Sequence, residues 1–244
     1  MRCWGLTDRG AVRNENQDSF IIEKVLDVNG DEVCVCVVCD GMGGAKAGDV
    51  ASSIAAQAFI NHVKEGLRSG QPRRELIGNA VSFANESVLL KARESEEYSG
   101  MGTTIVAGIA DNKNAVIVNI GDSRCYHVNK SGIRQVTKDH SLVEDMIDRG
   151  EILREEAWKH PNKNLITRVL GTDLGTRFDI FEVELARKDC LLFCTDGLSN
   201  IVNPQELLFE IIHGGQIETA AARMMKIALG RNAPDNVTVV VLAE

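Results

Sequence analysis

Several things are scarce in this sequence, and each scarcity excludes something. Four prolines punctuate 244 residues, and no Ser-, Pro- or Gly-rich tract or solenoid-period repeat interrupts them, so a single domain over residues 1–244 is expected. No apolar run approaches the ~20 residues of a membrane helix. The start MRCWGLTDRG also lacks the apolar centre of a signal peptide, so the expectation is a cytoplasmic protein with no membrane partner. Basic tracts are missing too. Asp plus Glu outnumber Lys plus Arg 35 to 27, for a formal net charge of -8, which argues against nucleic acid as a partner.

Cysteine is present, but not as a framework. Seven cysteines, an odd number, fall mostly within apolar strand-like runs and read as reduced, small buried hydrophobes. Cys36 and Cys39 have CxxC spacing, yet Val37 and Val38 lie between them and no second CxxC completes a zinc site. Cys3 and Arg9 match a C-x5-R spacing that can wrap a phosphate, but no glycine-rich cradle accompanies them, and the match reads as coincidence.

The periodicity predicts strands over residues 2–7 and in SFIIEKVLDVNGDEVCVCVVCD, where Asn29-Gly30 signals a turn. DVASSIAAQAFINHVKEGL carries apolar residues at helical spacing and ends near Gly70, and a second helix follows Pro72 to about Arg93. A strand meander returns after Met101, with turns at 111–114 and 129–132. Residues 139–162 are polar and helix-like, an expected surface excursion. Strands near 177–184 and 190–195, helices near 204–213 and 216–230, and a final strand NVTVVVLA complete the chain. Runs of strands interleaved with helix pairs indicate α+β, with two packed antiparallel sheets and helices outside.

The segment VCVVCDGMGGAKAG invites a nucleotide reading, which fails. A GxGxxG starting at Gly41 would need glycine where Lys46 stands, and no P-loop pattern occurs. What remains is an aspartate, Asp40, delivered by an apolar strand. The arrangement recurs at Asp122 in VNIGDS and Asp196 in LLFCTDG, and Asp235 precedes the last strand. One such aspartate is ordinary turn chemistry. Four at strand edges would repel one another unless a cation compensates them. Oxygen donors, including the Gly41 carbonyl, without a matching His or Cys set favour Mg²⁺ or Mn²⁺ over zinc. A bridging carboxylate would hold two such ions roughly 3.5 to 4 Å apart, suited to in-line displacement at phosphorus. Arg13, in RNENQDSF, is a candidate phosphate grip.

In this order and over almost the whole chain, RNENQDSF, VCDGMGG, GTT, IGDSR, KDHSLV, ITRVLG, CTDGLSN and DNVTVVV resemble the bacterial branch of the metal-dependent type 2C (PPM family) serine/threonine protein phosphatases. The resemblance implies a central antiparallel β-sandwich flanked on both sides by pairs of antiparallel helices. It also implies two Mn²⁺ or Mg²⁺ ions and direct attack of a metal-bridging water on phosphoserine or phosphothreonine. By position it makes Asp40 the bridging ligand, gives the Gly41 carbonyl to the second ion, and lets Asp196 and Asp235 complete the first site. Asp122 with Asp196 would hold a third, weaker ion. Arg13 matches the phosphate-binding arginine and Asp18 the acid that orients a bound water, and residues 139–170 match a variable flap. Expected partners are phosphorylated proteins, including a serine/threonine kinase and its targets, acted on by a monomer.

The sequence departs from relatives at three places. Gln17 replaces a glutamate, Met42 a histidine proposed as general acid, and Ala45 a histidine of many bacterial members. Arg168 reads equally as a structural ion pair or a substrate contact. His140 and His160 read as loop or helix-end residues, Trp158 as packing rather than docking, and Thr103 and Thr104 as partners of backbone groups. Two alternatives stand beside the main reading: an inactive phosphoprotein-binding module of the same fold, and a phosphatase dedicated to one anti-sigma-factor antagonist.

Overall fold

A computed structural model describes the chain from Met1 to Glu244 apart from Gly43, Trp158 and Thr176, with residues 44–46 described by backbone alone. The questions raised about Trp158 and the Ala45 side chain therefore lie outside the described residues.

The N-terminal half begins with β1 (Arg2–Asp8), β2 (Asp18–Leu26) and β3 (Glu32–Met42). Asp27 closes the β2–β3 turn by accepting from the backbone N–H groups of Asn29 and Asp31, and Gly30 supplies the positive φ. Two long helices follow, α1 (Gly44–Arg68) and α2 (Arg73–Ala92), then a short 3-10 turn at Glu96–Tyr98. The meander is β4 (Gly102–Thr103), β5 (Ile105–Ala110), β6 (Asn114–Ile120), β7 (Arg124–Asn129) and β8 (Gly132–Gln135).

The helix-like stretch 139–162 includes two short helices, α3 (Leu142–Asp148) and α4 (Arg154–Ala157). The chain closes with β9 (Asp179–Glu184), β10 (Cys190–Cys194), α5 (Asp196–Ser199), α6 (Pro204–His213), α7 (Ile217–Gly230) and β11 (Val237–Ala243). The start of α6 is set by sequence: Asn203 and Glu206 form a reciprocal capping box and Pro204 takes the first helical position.

Among the described residues the strands form two antiparallel sheets, ordered β1-β11-β10-β7-β8 and β2-β3-β5-β6-β9, with β4 paired to β3. The unbroken apolar run of β3 is explained by burial on both faces, since alternate residues point opposite ways. Cys34, Cys36 and Val38 join Phe193, Val240 and Leu242 between the sheets. Val33, Val35, Val37 and Cys39 instead pack under Phe59, Ile60 and Ile77 of α1 and α2. On the other sheet, Leu192, Val239 and Val241 meet Leu207 of α6 and Met224 of α7. The result is the expected four-layer αββα arrangement.

All seven cysteines are free, and six are buried. Cys36 and Cys39 lie on opposite faces of β3, which rules out a shared metal or disulfide. Cys3 and Arg9 are separated by most of strand β1, so no phosphate loop forms there. Among the described residues no helix is long and apolar enough to cross a membrane.

Candidate active site

Strand register brings the carboxylates together. Asp18 opens β2 and pairs directly across from Asp40 near the end of β3, so the two side chains share one sheet face. That face also carries Phe20, Ile22, Cys36 and Val38 and is the one between the sheets. On the opposite sheet, Thr195 follows β10 and Thr238 lies in β11, in line with the inward residues Phe193 and Val240. Both hydroxyls donate to Asp18 Oδ2, at 2.9 Å from Thr195 and 2.6 Å from Thr238. Asp196 and Asp235 flank these threonines in sequence, and Asp122 leaves the end of β6. Five aspartates from two sheets therefore meet at one end of the sandwich.

Their burial has electrostatic consequences. Removal from water raises Asp18 to about 7, Asp122 to about 8 and Asp196 to about 6, and neighbouring carboxylates add to each rise. Asp40 is pushed well above its ordinary value, first by burial and then by Asp18, Asp196, Asp122 and Asp235. Arg124 lies close enough to lower the pKa of Asp122 and Asp196, and Arg13 faces the group from the other side of the site. Arg13 Nη2 donates to Asp235 Oδ2 at 2.8 Å, and its side chain, 53% exposed, borders a cleft of about 590 Å³ lined also by Asp40, Gly41 and Met42. Asp122 and Asp196 line a second cleft, of about 330 Å³, with Asn200 and Glu144.

The donor set suits a hard divalent cation. Asp18 Oδ1 and Asp196 Oδ1 are buried with no hydrogen-bond donor to satisfy them, and the group holds carboxylates without histidine or thiolate. Among the described residues no three His, Cys, Asp or Glu side chains are placed together closely enough to hold a metal ion as they stand.

The glycine after Asp40 has a different purpose from the one its turn-like sequence suggests. The strand does not end at Asp40: Gly41 and Met42 continue it, paired with Thr103 and Gly102. A Cβ on Gly41 would lie 2.0 Å from the Gly48 carbonyl oxygen of α1, so glycine permits a close backbone crossing. Gly41→Ala should cost about 1–3 kcal/mol of stability, read as a lower urea midpoint. At the second Asp-Gly, a Cβ on Gly197 would lie 1.9 Å from the Asn236 carbonyl oxygen.

Backbone partners hold Asp40 rigidly. Its N–H donates to Thr104 Oγ1 at 3.0 Å, and its carbonyl accepts from Thr103 Oγ1 and the Thr104 N–H, both at 2.9 Å. These contacts give the two threonines the backbone role read from their sequence. Asn236 was not anticipated. Its side chain accepts from the Gln17 N–H and donates to the carbonyls of Arg9 and Glu15, clamping the loop that presents Arg13. A polar residue between Asp235 and the apolar run of β11 was the available signal.

The flap end is tied down by ion pairs. Arg124 grips Asp139 through both carboxylate oxygens, and Arg154 does the same to Glu144. Arg168 forms an ion pair with Asp179 at 3.4 Å and also lines a groove of about 340 Å³ that shares Met42 with the main cleft. His160 closes a local turn by accepting from the Asn162 N–H.

His140 is buried. Its Nδ1 accepts from the Gly121 N–H at 3.1 Å, which leaves Nε2–H to donate to Asp179. Burial lowers its pKa. A lowered folded-state pKa contributes stability above the unfolded value of about 6.5 and loses it as pH falls through the folded value. The stability advantage of wild type over His140→Asn should therefore shrink as pH falls below about 6.5, measured as urea midpoints.

Comparison with known proteins then decides the family, because the model for "Protein phosphatase 2C" matches residues 11–231. The chain belongs to the protein phosphatase 2C family. It is accordingly a phosphoprotein phosphatase by class. Among similar proteins, the serine/threonine phosphatase Stp of Listeria innocua is 36% identical over 239 residues, covering 97% of this chain and 93% of that one. The crystal structure of the serine/threonine phosphatase Stp1 from Staphylococcus aureus superposes with a TM-score of 0.89 at 35% identity, over 99% of this chain and 94% of that one. A structure of the catalytic domain of the phosphatase PstP in complex with two manganese ions superposes at 0.83 and 32% identity, over 98% and 96%.

Proposed function

We propose that this member of the protein phosphatase 2C family is a metal-dependent serine/threonine phosphatase that hydrolyses phosphoserine and phosphothreonine in proteins by direct attack of water. The observation that carries this reading is the convergence of five aspartates, Asp18 buried and the other four part-buried, with Arg13 at one end of the sandwich. Mn²⁺ or Mg²⁺ held by Asp40, the Gly41 carbonyl, Asp196 and Asp235, with Asp122 available to a third ion, would neutralise the carboxylates, lower the pKa of water and polarise the phosphate. Manganese in the PstP structure supports the choice of ion.

The chain's own residues do the rest. Arg13 reaches into the cleft and can exchange its contact with Asp235 for two phosphate oxygens. Asp18, fixed by Thr195 and Thr238, keeps Oδ1 free to hold a proton beside Asp40. Among the described residues no Ser, Thr, Cys or His lines the main cleft, so no hydroxyl, thiol or imidazole nucleophile is offered there. Met42, 38% exposed at the cleft, offers no proton to the leaving serine or threonine, so that proton is drawn from water. Gln17 cannot carry the charge of the glutamate it replaces, and the second ion is expected to bind less tightly.

Residues 1–244 act as one domain and a monomer in the cytoplasm, with 139–170 flanking the cleft as a flap. The substrates are phosphoproteins, a serine/threonine kinase and its targets among them. Phosphate release from matched phosphothreonine, phosphoserine and phosphotyrosine peptides tests the reading. Turnover of the first two well above the third is expected. Equal rates on all three would overturn the specificity, and binding without turnover would indicate a recognition module.

A further inference from the structure

At the opposite end of the sandwich from the aspartates, two thiols from different sheets touch. Cys3 of β1 faces inward and packs against the inter-sheet cluster that contains Cys34 and Cys36. Cys3 and Cys34 are hydrogen-bonded through their side chains. Cys3 Sγ also lies 3.9 Å from the Met1 carbonyl oxygen, so Cys34 S–H donates to Cys3 and Cys3 S–H can donate onward.

Charge gathers at the same place. The N-terminal ammonium lies 3.6 Å from Glu32 and Lys24 Nζ lies 2.8 Å from it, and Lys24 pairs directly across from Cys34. The Cys34 hydrogen bond, Lys24 and the N-terminus lower the Cys3 pKa, while the same hydrogen bond and burial raise that of Cys34. Cys3 is also the one cysteine of the seven that is not fully buried. An accessible thiolate-forming cysteine with a protonated partner against it has the arrangement of an attacking and a resolving thiol.

We propose that Cys3 and Cys34 form a peroxide-responsive pair that closes a disulfide between the two sheets. Cys3 thiolate attacks one oxygen of hydrogen peroxide, breaking the O–O bond to give cysteine sulfenic acid and hydroxide. Cys34 thiol then attacks the sulfenic sulfur, forming the S–S bond and releasing water, while peroxide is reduced by two electrons. The bond fastens the edge strand β1 to β3 of the other sheet, remote from the aspartates, so turnover is not required for its detection.

The test is peroxide treatment of the full-length protein without reductant, followed by intact mass and peptide mapping. The expected result is a loss of two hydrogens, a cross-linked pair of peptides containing Cys3 and Cys34, and a higher Tm that dithiothreitol reverses. In Cys34→Ser, and in Cys34→Ala should the first fold poorly, Cys3 should instead accumulate as a sulfenic acid trapped by dimedone. Cys3→Ser should show neither link nor adduct. Over-oxidation of Cys3 without the cross-link in wild type, a link that persists in Cys3→Ser, or no reaction at peroxide levels that oxidise an exposed control thiol would each overturn the proposal.

Discussion

Asp40→Asn is expected to lower kcat on a phosphothreonine peptide by about 10³-fold or more while leaving a folded protein. Asparagine preserves the volume, and the hydrogen bonds that seat this residue run through its backbone to Thr103 and Thr104. What disappears is a carboxylate that burial, and then the other four carboxylates, push well above its ordinary pKa. Because burial and the neighbouring carboxylates make an ionised Asp40 costly without a cation, the metal-free variant should melt at or above the wild-type temperature. Loss of activity with retained or raised Tm separates a failed site from a failed fold, and full activity would refute the role of Asp40 as a ligand.

Arg13→Ala should reduce kcat/KM by about 10²-fold, with little change in stability because the side chain is half exposed and its one ion pair lies at the surface of the cleft. Arg13→Lys keeps the charge but loses the planar fork, so only part of the activity should return. Steady-state kinetics on a phosphothreonine peptide reads both variants. An alanine variant with unchanged kcat/KM would move the phosphate grip elsewhere, with the nearby Arg168 groove the next place to look.

The layered fold was legible because its signals are local. Helical spacing in α1, Pro72 ahead of α2 and the Asn29-Gly30 turn each report within a few residues. The start of α1 was not. Its first residues include Gly44 and Gly48, whose poor helix propensity disguises a helix that begins five residues before Asp49. Gly48 is there for contact: a Cβ on it would sit 2.9 Å from the Gly41 carbonyl carbon.

The aspartates announced themselves by repeated placement at strand ends, and the resemblance sorted their roles. Their supports could not be read in the same way. Thr195 and Thr238 stand 177 and 220 residues from the Asp18 they hold, and nothing in a one-dimensional pattern pairs residues so far apart. The same holds for Asn236, which fastens the Arg13 loop from the far end of the chain, and for Cys3 against Cys34, brought together only when the sheets close.

The most direct test is to strip the protein with a chelator and measure phosphothreonine-peptide turnover as Mn²⁺ is added back. Negligible turnover without metal and a saturable rise on addition, absent in Asp40→Asn, is the predicted result. Turnover that is already full after chelation, or flat across the titration, would contradict a metal site built from these aspartates.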